Sequence, residues 1–515
     1  YMKYDADLEL PKALLKRLNE AYLRSHLWVP IGVDQEKVIV LIDNPTDTNR
    51  IMEIQKVLNA RNYEFRVGLP EDILKFLGVG LEIPEPESVN LEDLVGRLED
   101  EAAVIADEQD IALASTVSEN EATVVQIVNR LVLDAERLGA SDIHIEPARG
   151  KVPATVRMRV DGVCRPVLKI PASHIRAVVA RIKVVSRLDI AERRKPQDGK
   201  FMVKLRGKNL ELRVATIPTV HGEGAVLRLL HSGGALPFDN LNLSERNARE
   251  TKELVSHPHG IFLVVGPTGS GKTTTLHAIL GHINTPERKI WTAEDPVEIT
   301  QEGLQQVQVE PKIGFDFAAA LRAFLRADPD VILIGEIRDQ ETAHSAIEAS
   351  LTGHLVFSTL HTNSAPETVT RLLDLGLDPM NFADALLGVL AQRLSRTLCS
   401  FCRKPHPASN EEVHQLMVSY GQEMFPELGV NPSEMILQGP AGCDRCGGTG
   451  YRGRIGIHEL LVATNAMKVV IARKSGVTEI RNLATAEGMR TLMQDGIAKI
   501  VRGFTDFSQL RRVVA

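Results

Sequence analysis

The chain has 515 residues, 43% of them apolar, 25% charged and only 4% aromatic, with a net charge of −7. Such a length accommodates three or four domains rather than one core, and the acidic balance with few aromatic rings argues against a channel that tracks nucleic acid. No apolar run approaches the ~20 residues needed to cross a bilayer, and the N-terminus lacks the basic-then-apolar order of a signal peptide, so a cytoplasmic protein is expected.

The first 80 residues read as a small α/β module, with a helix over 11–24, a strand over 37–42, a helix over 51–60 and a strand over 63–67. Residues 81–110 then carry eleven acidic side chains against one basic one, with Pro84 and Pro86 near the start. Such a segment repels itself and buries little, so a linker is expected, with room for a short helix over 91–98. From about residue 117 an α+β pattern begins. Val125, Val128, Leu131, Val132 and Ala135 share one helical face, and Ser141-Asp-Ile-His-Ile-Glu146 alternates as a strand does. Further strands are expected over 154–160, 163–169, 200–205, 210–216 and 225–230. Beyond residue 240, strands alternate with helices, which points to a parallel sheet covered on both faces.

The most informative run follows the apolar segment 261–265. Gly266, Pro267, Thr268, Gly269, Ser270, Gly271, Lys272 and Thr273 fit Gly-x-x-x-x-Gly-Lys-Thr, and the helical pattern starting at Thr274 follows. Glycines let backbone N–H groups converge on phosphates at a helix N-terminus. Lys272 can then reach the β- and γ-phosphates, and the Thr273 hydroxyl can ligate Mg²⁺. A nucleoside triphosphate is the expected ligand.

Three more strand ends carry polar chemistry. Asp330-Val-Ile-Leu-Ile-Gly-Glu336 ends in a carboxylate that can orient Mg²⁺ and its waters, although Gly335 stands where an Asp is usual. Trp291-Thr-Ala-Glu294-Asp295-Pro-Val-Glu298 is a second acidic strand end, and Leu355-Val-Phe-Ser-Thr-Leu-His361 ends in a histidine that can sense the γ-phosphate. Each is weak alone; in this order after the phosphate loop they reinforce one another. Arg322 and Arg326, one helical turn apart, can face the same site or simply lie on a surface helix.

Of five cysteines, Cys399-x-x-Cys402 and Cys443-x-x-Cys446 form two pairs with the spacing of a tetrahedral Zn²⁺ site, though forty residues separate them. Cys164 reads as a small packed residue.

Taken together, these segments resemble the assembly ATPases of type II secretion and type IV pilus systems. The resemblance rests on Ile143-His-Ile-Glu-Pro147, on Arg187-Leu-Asp-Ile-Ala-Glu-Arg-Arg-Lys-Pro-Gln-Asp-Gly-Lys200 and on Pro218-Thr-Val-His-Gly-Glu223. It rests also on the phosphate loop, on the Glu298, Glu336 and His361 segments, and on Cys443–Cys446 followed by Thr449-Gly-Tyr-Arg-Gly-Arg-Ile-Gly-Ile-His-Glu459. It covers residues 115–515.

The resemblance implies an α/β and α+β multidomain chain. An N-terminal partner-docking module (1–80) and an acidic linker (81–115) would precede a PAS-like α+β domain (116–238). A RecA-like ATPase domain (239–398), a tetracysteine zinc insertion (399–450) and a C-terminal helical part of the ATPase domain (451–515) would follow. It further implies a homohexameric ring hydrolysing ATP with Mg²⁺ between its domains, at the cytoplasmic face of a bacterial inner membrane. Partners would be an inner-membrane platform protein and, through residues 1–80, the cytoplasmic part of a bitopic membrane protein. Glu298 would orient or deprotonate the attacking water, Glu336 and His361 would act at the γ-phosphate, and Arg213 and Arg228 would reach the phosphates from the second domain. Strand-edge ion pairing is the other explanation of the two arginines. The Arg-Leu-Gly-led repeat by which related N-terminal modules bind cyclic di-GMP is not evident. The tetracysteine insertion and the N-terminal module favour assembly or secretion over retraction. A scaffold of the same apparatus with little turnover, or a retraction or DNA-uptake motor, is the alternative.

Overall fold

The computed structural model describes most of residues 8–77 and residues 117–205, 208–231 and 234–514. The expected linker and its short helix lie outside the described residues, as does most of the helix expected over 11–24, of which Lys12–Leu15 is described. The chain divides into two compact units, Tyr1–Met158 with Arg165–Leu230 and Arg159–Cys164 with His231–Ala515.

The first unit holds two sheets. Strands β1 (Trp28–Asp34), β2 (Lys37–Ile42) and β3 (Asn62–Val67) lie in that order, β1 antiparallel and β2 parallel to its neighbour β3. A parallel pair needs a crossover, and the helix Thr48–Leu58 supplies it, burying Ile54 with Trp28, Val40 and Ile42. The second sheet has six strands: β4 (Ala140–Glu146), β5 (Ala154–Val160), β6 (Val163–Ile170), β7 (Gln197–Leu205), β8 (Lys208–Thr219) and β9 (Gly222–His231). Their spatial order is β6-β5-β4-β9-β8-β7. The helix Val117–Leu138 buries Val124, Ile127, Val128, Leu131, Val132 and Ala135, a stripe of helical period. Val125, expected on that stripe, is half-buried at its margin.

In the second unit a seven-stranded mixed sheet is ordered β12-β11-β13-β14-β10-β15-β18. Here β10 is Gly260–Val265, β11 Ile290–Glu294, β12 Leu304–Gln308, β13 Val331–Ile334, β14 Leu355–Leu360, β15 Leu386–Leu398 and β18 Tyr451–Val462. The first six are parallel and β18 runs antiparallel to β15. β10 and β13 are apolar along their length, β14 is apolar but for Ser358 and Thr359, and all three are buried on both faces, the pattern of central parallel strands.

Two differences from the sequence reading concern this unit. Residues 451–462, expected within a helical C-terminal part, form the edge strand β18. The tetracysteine insertion, which carries a small antiparallel sheet of β16 (Lys404–Pro407) and β17 (Ile436–Gly439), is not separately cored. Its Leu416, Tyr420, Phe425 and Leu437 pack with Ile457, Leu492, Ile497, Ile500 and Leu510 from β18 and the C-terminal helices. The insertion is too small to bury those side chains alone, so it borrows apolar surface from its neighbours.

Candidate active site

The phosphate loop leaves β10 at the carboxyl edge of the parallel strands, where open α/β sheets bind their ligands. Gly266 N–H donates to Leu360 O at 3.2 Å, tying the loop to the end of β14. Gly266 has φ 151° and Gly271 φ 88°. A Cβ at Gly266 would stand 2.5 Å from Gln392 O, and one at Gly271 would stand 2.9 Å from Gln392 Nε2. Both glycines therefore make room for Gln392, a buried residue of β15. Its Nε2 donates to Ser270 O at 2.7 Å and its Oε1 accepts from Thr275 Oγ1 at 2.7 Å, so one side chain braces both the loop and the first turn of the helix Lys272–Ile283. Thr268 and Gly269 are exposed on the loop; Thr273 is half-buried and Thr274 exposed on the first turn of the helix, whose first N–H groups have no intrahelical acceptor.

Lys272 folds back over the loop, donating to Gly266 O at 2.8 Å and Pro267 O at 3.1 Å. Burial pushes its ammonium below the ordinary lysine range, Glu336 pulls the other way and Arg393 adds to the depression. An arriving anion would restore the favoured charge of this lysine, which suits a phosphate ligand.

Glu336 and His361, from the ends of neighbouring strands, meet. His361 Nε2 lies 3.3 Å from Glu336 Oε2, and Arg338 pairs with the other carboxylate oxygen. The backbone holds this corner: Gly335 N–H donates to Ala293 O at 2.8 Å, Thr359 Oγ1 donates to Gly335 O at 2.7 Å, and Ile337 N–H donates to Thr359 O at 3.0 Å. A Cβ at Gly335 would stand 3.1 Å from both Ala293 O and the Phe317 ring, so little room is left for the Asp usual here.

The second acidic strand end behaves differently. Glu294 is buried, accepting from His277 Nε2 at 3.0 Å, Thr292 Oγ1 at 2.7 Å and Gln306 Nε2 at 3.1 Å. Burial opposes its charge, yet these donors, led by His277, hold its carboxyl below the usual range. Gln301 Nε2 sits 2.7 Å from His277 Nδ1, which leaves Nε2 of His277 to carry the proton toward Glu294. Glu298 is exposed four residues beyond β11 and makes no hydrogen bond or ion pair with a described residue, so no contact joins it to Glu336 or His361. Arg322, on the helix Phe317–Phe324, pairs with Glu341, while Arg326 is exposed in the turn beyond the helix end, so the two do not share a helical face as expected.

In the first unit Arg228 Nε donates to Asp142 Oδ1 at 2.9 Å across the β4–β9 pair, the strand-edge pairing foreseen as its other explanation. Burial opposes ionisation of Asp142, but Arg228 and Ser141 keep its carboxyl below the usual range. Arg213 is half-buried on β8 opposite Lys200 and has no ion pair among the described residues.

The four paired cysteines converge. Cys399 Sγ lies 3.9 Å from Cys443 Sγ, while Cys402 and Cys443 Sγ each lie 3.8 Å from Cys446 Sγ, with all four sulfurs within 4.8 Å of one another. A tetrahedron with metal–sulfur bonds of about 2.3 Å has edges of about 3.8 Å, so the cluster fits zinc. Burial opposes ionisation of Cys446, but N–H groups of Cys443 and Gly450, at 3.1 and 3.2 Å, hold its thiol down to about 6.

Comparison with known proteins places this site in a family. A model of the type II/IV secretion system proteins matches residues 117–512, and one of the MshEN domain matches residues 4–78. The chain belongs to the type II/IV secretion system protein family. It is 45% identical over 397 residues to type II secretion system protein E of Pectobacterium carotovorum, covering 77% of this chain and 76% of the relative. It is 39% identical over 507 residues to the type IV pilus assembly ATPase PilB of Pseudomonas aeruginosa, covering 96% and 85%. Among solved structures, the pilus retraction motor PilT with bound ADP aligns over 74% of this chain and 95% of its own, with 25% identity and a TM-score of 0.50. This family member is therefore an ATPase, and its family implies ATP and Mg²⁺. No helix among the described residues is long and apolar enough to cross a membrane.

Within this ATPase two site residues escaped the sequence reading. Gln392 and Arg393 lie in β15, whose apolar start, Leu386–Ala391, gives way to a polar stretch with no motif to mark it. Arg393 donates to Asn363 O at 3.1 Å and Asn363 Oδ1 at 3.2 Å, steadying the segment after His361. Glu294 was visible as an acidic strand end, but nothing local said that it would be buried.

Proposed function

We propose that this ATPase is a homohexameric motor that powers type II protein secretion or type IV pilus assembly from the cytoplasmic face of a bacterial inner membrane. In this reading the second unit has a RecA-like core, the α+β part of the first unit is PAS-like, and residues 1–80 dock on the cytoplasmic part of a bitopic membrane protein. Force would pass to an inner-membrane platform protein. The observation that carries the reading is the meeting of Glu336 and His361 beside a phosphate loop whose Lys272 ammonium is held below its ordinary range by burial.

The loop N–H groups and Lys272 bind the phosphates, and the Thr273 hydroxyl would hold Mg²⁺. Mg²⁺, when bound, neutralises charge developing on the β- and γ-phosphates. Glu336, steadied by His361 and Arg338, orients the attacking water, and Glu298 is the other candidate to receive its proton, brought in by closure. Arg213 and Arg228 supply charge to the phosphates when the first unit closes on a nucleotide, so Arg228 must exchange Asp142 for phosphate. Zinc bound by Cys399, Cys402, Cys443 and Cys446 would hold the insertion together.

Mg²⁺-dependent hydrolysis per protomer, measured over a wide range of protein concentration, tests this reading. A specific rate that rises with concentration supports a site completed by ring assembly, whereas nucleotide binding without turnover at any concentration argues for a scaffold. Arg213→Ala should lower hydrolysis at least about tenfold with nucleotide binding retained, and unchanged hydrolysis would remove the gating role.

A further inference from the structure

Glu459 is a buried carboxylate of β18 that no part of the hydrolysis scheme above uses. Its two oxygens are taken by two helix starts. Oε1 accepts from Ala365 N–H at 2.8 Å, the first residue of the helix Ala365–Asp374, and Oε2 accepts from Leu492 N–H at 3.4 Å, the first residue of the helix Leu492–Val501. Helix N-termini carry unpaired N–H groups and partial positive charge, and a buried carboxylate between two of them satisfies both needs. Burial pushes its carboxyl up, opposed by these N–H groups and by the charges of Arg481 and Arg393.

The first of these helices starts four residues after His361. The intervening turn is tied mostly to that same helix: Thr362 Oγ1 lies 2.7 Å from Thr368 Oγ1, Ser364 caps the helix by accepting from Glu367 N–H, and Glu367 accepts from Asn363 N–H at 3.0 Å, while Arg393 holds Asn363 from β15. Glu459 and Arg393 thus grip the same segment from adjacent antiparallel strands, Glu459 at its helix start and Arg393 two residues earlier.

We infer that Glu459 is a positioning residue for ATP hydrolysis: by holding the start of the helix Ala365–Asp374 it sets His361 against Glu336. The inference rests on the reading above that His361 and Glu336 act at the γ-phosphate. A carboxylate outside the hydrolysis scheme thus acts on turnover through one histidine, and hardly on nucleotide binding.

A double-mutant cycle on the full chain tests it, with steady-state hydrolysis, nucleotide affinity and thermal midpoint measured for Glu459→Ala, Glu459→Gln, His361→Ala and the double variant Glu459→Ala with His361→Ala. The expected result is a kcat about tenfold lower in Glu459→Ala with KM for ATP within about twofold, a partial recovery in Glu459→Gln, which keeps shape and one acceptor, and a double variant no slower than His361→Ala alone. Losses that multiply in the double variant would overturn the route through His361. A Glu459→Gln enzyme with raised KM and unchanged kcat would overturn the positioning role, and so would a Glu459→Ala enzyme that folds and turns over normally. If Glu459→Ala fails to fold, the cycle is run on Glu459→Gln, where the same two outcomes decide. An His361→Ala enzyme with wild-type kcat would instead remove the reading on which the inference stands, whatever the Glu459 variants do.

Discussion

The phosphate loop leans on the middle of β15 and the tetracysteine knuckle closes its end, six residues or about 20 Å further along. The two are held by opposite means. The loop is satisfied by the protein alone: Gln392 bonds to Ser270 and Thr275, Lys272 bonds to loop carbonyls, and Gly266 is tied to β14. The knuckle gathers four sulfurs at edges near 3.8 Å with a few N–H groups to stabilise negative charge. Four thiolates so close repel one another until a cation compensates them. One region is preorganised by its own hydrogen bonds, and the other has a donor set that fits a cation.

The sharpest way to break that contrast is Lys272→Ala. Hydrolysis should fall by about 100- to 1,000-fold, because the lost charge acts on the transferring phosphoryl group. The thermal midpoint should move by only a few degrees, since the loop keeps its Gln392 brace; a collapse in stability would show that the loop is not self-supporting. The knuckle should answer the other way. Chelation, or Cys443→Ser, should lower the thermal midpoint far more than Lys272→Ala does, because structural zinc sites supply on the order of 10 kcal/mol of apparent binding energy. Nucleotide affinity should stay within about threefold, and stability untouched by metal removal would end the structural-zinc reading.

A smaller effect is expected at the brace itself. Gln392→Ala removes two buried hydrogen bonds and strands their partners, so a loss of about 2–3 kcal/mol in stability and a weaker hold on ATP are expected, measured by denaturation and nucleotide titration. Normal ATP binding in that variant would mean that the glycines, not Gln392, shape the loop. The smallest effect concerns Glu294, whose carboxyl is held below its ordinary range. Such a group adds stability above its unfolded pKa near 4.3, and that share is lost as pH falls through the lower folded value. Glu294→Gln should therefore flatten the acid limb of a stability-against-pH curve measured from pH 7 downward, and a curve parallel to wild type would show that the hydrogen bonds to its carboxylate contribute nothing.

The phosphate loop, its strand and its helix were legible because the chemistry of that motif is local: eight consecutive residues contain the turn, the lysine and the hydroxyl. The paired cysteines were legible for the same reason, since each Cys-x-x-Cys turn presents its two thiols by itself. β18 was not, because a strand at the edge of a mixed sheet is defined by its partner β15 and not by its own pattern. Nor was the difference between the acidic strand ends, since Glu294 is buried by groups 2, 12 and 17 residues away while Glu298 stays exposed.

What the residues determined by themselves is a glycine-rich strand-to-helix loop, a strand-and-helix order and two Cys-x-x-Cys turns, all set by neighbours within a turn or two along the chain. What only the tertiary structure decided is who stands beside whom at the carboxyl edge. Placing β14 between β13 and β10 brings His361 to Glu336, and laying β15 and β18 along the other side of β10 brings Gln392 to the loop and Glu459 to the helix behind His361. Strand order in a parallel sheet is fixed by crossovers tens of residues long and by burial on both faces, neither of which leaves a mark at the residues it brings together.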